Sequence, residues 1–231
     1  MTQQSKWDEE YKSNRLVTGS NEPQNDFKRF VKYLRKKCEV EIDGLRVLDL
    51  GSGTGKNSIY LAENGAIATG IEFSQTAINI AKERSKENSL NTNFIQKSFG
   101  ESFPFKDNSF DLTLDIMSSN SLTEGEREVY LREVHRVLKP GGYFFVRLLA
   151  LDGDKHAETL LKTRPGNEKG TYKLPDVEIT ERVLSKEEFT KYYSPFFDFI
   201  KLEKKSGYMN VNGRLFKRNY WIAYLQNNKT G

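Results

Sequence analysis

The chain's 231 residues suit one large domain rather than two of ordinary size, and 36% hydrophobic residues can build its core. No apolar run approaches the ~20 residues of a membrane span, and a lone cysteine, Cys38, excludes an internal disulfide and a thiolate metal site. The net charge of +4 is uneven, −2 over residues 1–154 and +6 over residues 155–231, so the basic C-terminal third reads either as a solvated face or as a surface for a polyanion.

With only His135 and His156, a histidine metal site is not expected either. The first residues lack an apolar core and do not read as a secretory signal, so a reducing cytoplasm is the expected compartment. Residues 23–38 predict a helix, opened near Pro23, with Phe27, Phe30, Val31 and Leu34 on one face. Residues 46–50, 66–71, 93–96, 110–116 and 143–149 are short apolar runs predicted as strands, and helical stretches lie at 55–64, 74–88 and 123–138. Ser74 is placed to cap the second of these helices, and Pro140-Gly141-Gly142 to stop the third. Strands alternating with helices predict βαβ units and a parallel sheet. Residues 151–180 lack a clear period and carry Gly153, Pro165, Gly166, Gly170 and Pro175, which predicts a long functional loop. Ser185-Lys186-Glu187-Glu188 is a capping box opening a helix to Tyr193, and residues 196–203 and 220–226 read as closing strands.

The densest chemistry lies in Val47-Leu48-Asp49-Leu50-Gly51-Ser52-Gly53-Thr54-Gly55, where a strand runs through alternating glycines into a helix. Glycine permits the sharp turn and removes a Cβ where a ligand must lie close, while the amides of the helix start face that ligand. Glu72 ends the second strand 21 residues after Gly51, the place for a carboxylate that accepts from ribose hydroxyls. A dinucleotide fingerprint would need glycine at position 56, which is Lys56; a P-loop would need glycine at position 50 and Ser or Thr at position 57, which are Leu50 and Asn57.

The remaining form, Asp49 followed by Gly51, Gly53 and Gly55, resembles the first motif of class I S-adenosylmethionine-dependent methyltransferases. Phe103 to Asp111 and Arg132 to Gly142 are similar to the stretches before the fourth and fifth strands of that family, so the resemblance spans residues 46–149. Trp7 to Tyr11 also looks like the start of several small-molecule members. The resemblance implies an α/β three-layer sandwich with a seven-stranded, mostly parallel sheet in the order 3-2-1-4-5-7-6, strand 7 antiparallel. It divides one domain into a helical cap at 1–44, a cofactor core at 45–150, a lid at 151–184 and a closing helix and strands at 185–231.

The implied cofactor is S-adenosylmethionine. Gly51, Ser52, Gly53 and Gly55 would admit its methionine part, Asp49 would orient that loop, Glu72 would hold the ribose and Phe73 would lie beside the adenine. Ser98, Phe99 and Gly100 stand where the family often has an acidic residue at the adenine, with Glu101 as the other candidate. Asp115 and Ile116 would approach the sulfonium, and Arg15 the cofactor carboxylate. Ser118 and Asn120, in a turn that lacks the Asn-Pro-Pro-Tyr of many amino-methyltransferases, are substrate candidates, as are Arg164, Tyr172 and Lys173 from the lid. His156, just past the fifth strand, is the candidate general base, needed only if the acceptor holds a proton; a plain surface histidine is the alternative. No metal is expected. A small-molecule acceptor, anionic if the lid's cations face it, is preferred over RNA or protein docking through the basic and aromatic segment Arg214 to Trp221, which otherwise reads as a closing hairpin. A non-catalytic module that keeps the cofactor fold is the third reading.

Overall fold

The computed structural model describes residues 2–13, 21–211 and 214–230. Two helices, α1 (Gln3–Ser13) and α2 (Asn25–Lys37), precede β1 (Arg46–Leu50). There follow α3 (Lys56–Glu63), β2 (Ile67–Glu72), α4 (Gln75–Glu87), β3 (Asn93–Gln96) and β4 (Phe110–Ile116). A short 3-10 turn (Ser119–Ser121) leads to α5 (Glu124–Val137) and β5 (Leu138–Leu149). The remainder is α6 (Lys155–Thr163), β6 (Thr171–Lys173), β7 (Thr180–Arg182), α7 (Lys186–Tyr193), β8 (Phe197–Val211) and β9 (Arg214–Asn227). Among the described residues no helix is long and apolar enough to cross a membrane.

Seven strands form one sheet in the order β3-β2-β1-β4-β5-β9-β8, parallel from β3 to β5, with β9 antiparallel to both β5 and β8. This is the predicted order; only the numbers of the last two strands change, because β6 and β7 pair apart as a two-stranded sheet. Period-two alternation sorts the core into two layers. Val47, Phe145, Ile222 and Tyr224 face α2 and α3, while Leu48, Phe144, Val146, Trp221 and Ala223 face α5 and α7. Phe30 of α2 ties one layer together, its ring 5.0 Å from Phe145 and 4.8 Å from Tyr224. Truncating it to alanine removes both contacts and is expected to cost about 3–5 kcal/mol.

Helix ends follow local chemistry. Thr123 and Ser185 each form a capping box, with Glu126 and Glu188, and Ser74 accepts from the Ala77 amide.

Residues 151–180 depart from the predicted irregular loop. Asp154 caps α6 by accepting from the Ala157 amide, and Tyr172, Leu174, Ile179 and Val183 are buried in the main core. The segment is held in the fold by long-range contacts: Arg218 of β9, fully buried, donates to Asp154 Oδ2 at 2.9 Å and to the Tyr172 hydroxyl at 2.6 Å. The closing hairpin is also longer than predicted, because β8 and β9 stay paired to Val211 and Arg214, beyond the apolar alternation that marked their sheet-bound halves. Its aromatics Tyr220 and Trp221 are buried.

Candidate active site

Beyond the carboxyl ends of β1, β2, β4 and β5 lies a cavity of 1360 Å³. Its floor is the turn after β1. Gly51 and Gly53 adopt φ of 63° and 53°, left-handed values that side chains resist. Space excludes a side chain there as well: a Cβ on Gly51 would sit 2.4 Å from the Ser118 Cβ, and one on Gly53 would sit 2.8 Å from the Tyr11 hydroxyl. Gly55, by contrast, opens α3 and packs toward Phe94 and Ala81 rather than toward the cavity.

Two buried carboxylates stand behind this turn. Glu72 accepts from the Gly53 amide at 3.0 Å and from the Ser74 amide at 2.9 Å, and it lines the cavity. Asp49 accepts from the Ser58 hydroxyl at 2.8 Å. Burial pushes each carboxyl up to about 7, against the opposing pull of these hydrogen bonds. Neither forms a salt bridge among the described residues. Phe73, Ser98, Phe99 and Glu101 continue the wall, and Ser98 accepts from the Gly100 amide at 3.2 Å while Gly100 itself packs on Glu126.

Asp115 lies behind the wall. It accepts from the amides of Ser118 and Ser119 and from the Tyr130 hydroxyl, and so shapes the turn after β4. Ile116, Met117 and Ser118 from that turn do line the cavity, and the Ser118 hydroxyl donates to the Gly51 carbonyl at 3.1 Å.

Helix α1 straps the cavity across its mouth. On one rim Asp8 accepts from the Ser74 hydroxyl and the Thr76 amide, and these bonds hold its carboxyl well below the usual range. On the other rim Gln3 exchanges hydrogen bonds with the backbone of Thr180, and the Trp7 indole donates to Ser121. Between the rims Tyr11 is set at Gly53, where burial and the charges of Glu72 and Asp49 push its hydroxyl well above the usual value.

Four expected site residues are placed elsewhere. His156 stacks on Phe216 with ring centroids 4.2 Å apart, outside the cavity lining; burial, with Arg218 nearby, lowers its pKa. Arg164 pairs with Glu178 on the outer side of the β6–β7 hairpin. Tyr172 is fully buried between Glu181 and Arg218, and Asn120 is spent on the Leu149 amide. Arg15 lies outside the described residues. In their place the fold brings Lys56, Arg147, Glu181, Tyr208 and Met209 to the cavity. Arg147 carried a readable mark, a single charge inside the apolar run Tyr143–Leu149. Glu181 carried none, since its place depends on a three-residue strand packed against the 3-10 turn. Among the described residues no cluster of His, Cys, Asp and Glu could hold a metal.

Residues 47–142 match the model of a methyltransferase domain. That match covers the cofactor-binding half of the sheet, from β1 into β5, and makes this region similar to a methyltransferase domain. A fatty-acid O-methyltransferase of Mycolicibacterium smegmatis is 35% identical over 114 residues, 48% of this chain and 40% of that protein. A phthiotriol/phenolphthiotriol dimycocerosates methyltransferase of Mycobacterium tuberculosis matches at the same identity and coverage. The chain thus spans two fifths of the length of these relatives. Among solved structures, 1,6-didemethyltoxoflavin-N1-methyltransferase of Burkholderia thailandensis, with its substrate and S-adenosylhomocysteine bound, superposes with a TM-score of 0.71 at 16% identity, covering 98% of this chain and 87% of that one. A structure described for conversion of a disulfide into a thioacetal during echinomycin biosynthesis gives 0.75 at 18% identity, covering 100% and 94%. At these identities the structural matches establish the shared fold.

Proposed function

We propose that this chain is a methyltransferase, which binds S-adenosylmethionine in the cavity and transfers its methyl group to a small molecule. The observation that carries the reading is Glu72: a buried carboxylate at the end of β2, bonded to the Gly53 amide and, among the described residues, without a cation. A carboxylate kept in that state costs stability unless a ligand's hydroxyls complete its hydrogen bonds.

The residues present fit the cofactor. Gly51, Ser52 and Gly53 offer backbone at close range to its amino-acid part, Glu72 accepts from the ribose, and Phe73, Ser98 and Phe99 flank the adenine. Asp49 and Asp115 act at one remove, fixing the first and fourth turns. Bound there, the cofactor supplies an activated methyl on a sulfonium, a good leaving group. The protein's part is to hold the acceptor in line and exclude water, and α1 with its bonds to both rims serves the exclusion. The cavity, at 1360 Å³, exceeds the usual 300–1,000 Å³ of a single-ligand pocket, which leaves room for an acceptor beside Met117, Leu174, Met209 and Tyr220.

Docking of RNA through the basic tail has less support, since Arg218 and Trp221 of that segment are committed to the core. Calorimetry with S-adenosylhomocysteine, NAD and ATP tests the reading. One adenosylhomocysteine per chain and no heat from NAD or ATP is expected; NAD binding in its place would overturn the proposal.

A further inference from the structure

The cavity is electrically uneven. Glu72, Glu126, Glu168 and Glu181 line it from the β2, α5 and β6–β7 sides, whereas Lys56 of α3 and Arg147 of β5, close enough for the charge of Arg147 to act on Lys56, line it as well. Arg147 sits between Ile116 of β4 and Ile222 of β9 in the sheet, and its carbonyl accepts from the Met117 amide at 2.7 Å. It therefore stands one residue from the turn whose Ser118 rests on Gly51.

The Arg147 guanidinium lies 3.8 Å from the centroid of the Tyr220 ring. Stacking of this kind fixes the plane of the fork while leaving its edge free to donate. Its Nε is buried and has no hydrogen-bond partner among the described residues. Asp26 offers only a longer contact, 3.6 Å from Nε, and the same carboxylate lies 3.3 Å from Lys205 and 3.7 Å from Arg29. Asp26 thus faces three cations, of which Lys205 also pairs with Glu203 at 2.9 Å, and it gives Arg147 no close ion pair. Burial and the charge of Arg147 both lower the pKa of Lys56 on the same cavity. Met117, whose amide bonds the Arg147 carbonyl, lines the same cavity with Leu174 and Met209 and gives it apolar wall.

We infer that Arg147 anchors a carboxylate on the methyl acceptor, a monoanion with an apolar body that lies along Met117, Leu174 and Met209. The inference rests on the methyltransferase reading and names the acceptor's class. A planar, stacked guanidinium matches a planar carboxylate through two parallel hydrogen bonds. A dianionic phosphate suits the site less, because Asp26 stays in contact with the same guanidinium.

The test uses the full chain saturated with S-adenosylhomocysteine. Failure of that first step would count against the methyltransferase reading, whereas the second step addresses Arg147 alone. Benzoate and octanoate are titrated against benzamide and octanamide, with phenyl phosphate as a further arm. Each carboxylate should bind at least about tenfold tighter than its amide. Arg147→Met, which keeps the bulk of the side chain, should erase that preference without changing the affinity for S-adenosylhomocysteine. Arg147→Lys, which keeps the charge and loses the fork, should retain part of it and serves if the Met variant folds poorly. Equal binding of acid and amide, no binding of either carboxylate at millimolar concentration, a preference that survives in Arg147→Met, or tighter binding of phenyl phosphate than benzoate would each overturn the inference.

Discussion

Two buried acidic sites in this molecule are treated in opposite ways. Asp154, fully buried, meets Arg218 at 2.9 Å, and the same guanidinium bonds Tyr172, which donates to Glu181. Asp49 and Glu72 are about as deeply buried, yet among the described residues they meet a serine hydroxyl and backbone amides and no cation. In the first site Arg218 answers the charge of Asp154 directly, while burial still raises Glu181 at its far end; in the second no cation is in contact among the described residues, and both carboxyls rise to about 7. A charge balanced internally serves the fold; under the proposed function, the open charge of Glu72, the one of the two that lines the cavity, is kept for a ligand.

Removing the internal partner should therefore produce the largest loss. Arg218→Met leaves Asp154 buried without its cation and Tyr172 without its donor, and is expected to cost about 3–5 kcal/mol in urea unfolding. A loss below about 1 kcal/mol would remove the distinction between the two sites.

The open site should respond in the other direction. Burial raises Glu72 from 4.5 to about 7, so the folded protein holds a proton that the unfolded chain has released between those values. Stability without ligand then falls as pH rises through that window. Glu72→Gln abolishes the charge and should make the ligand-free protein about 1–3 kcal/mol more stable at pH 8, with the gain vanishing below pH ~4.5. A variant less stable than the parent at pH 8 would show that the Gly53 and Ser74 amides need the full carboxylate.

The smallest effect is expected at His156, which stacks on Phe216 away from the cavity. His156→Ala should cost about 0.5–1 kcal/mol from the lost ring contact and leave cofactor affinity unchanged. A methyl-transfer rate that falls while stability holds would restore the histidine to the chemistry.

The same contrast explains what could be read from the sequence. The β1 turn and Glu72 were legible because their geometry is local: glycines at alternate positions and an acid at a strand end lie within about 25 residues. The sheet order followed from the same block and the family it resembles. The second half was harder, because its structure is set by distant partners. Helix α6 is an exception: Asp154 caps it, and Ala157, Leu160 and Leu161 stand at helical spacing, a period legible in the sequence but masked by the glycines and prolines around it. Tyr172 looked like a lid residue until Glu181 and Arg218 closed over it. Helix α1 falls within the helical cap expected at 1–44, but its bounds were not read because Gln3–Ser13 has little apolar patterning; its place is fixed by polar bonds to the rims of the cavity. Arg147 was visible as a lone charge in a buried strand, but its role emerges only with Tyr220 beneath it and Asp26 at a distance.

The central claim, that Glu72 is a charge held open for a ligand, is met most directly by titrating S-adenosylhomocysteine into the parent and Glu72→Gln proteins between pH 6 and pH 8. The carboxylate is the form that accepts from ribose hydroxyls, so affinity in the parent should rise with pH, by up to about tenfold as Glu72 ionises. Glu72→Gln should bind about ten- to a hundredfold more weakly at pH 8 and lose most of that slope. Equal dissociation constants for the two proteins at pH 8, or the same pH slope in both, would contradict the assignment.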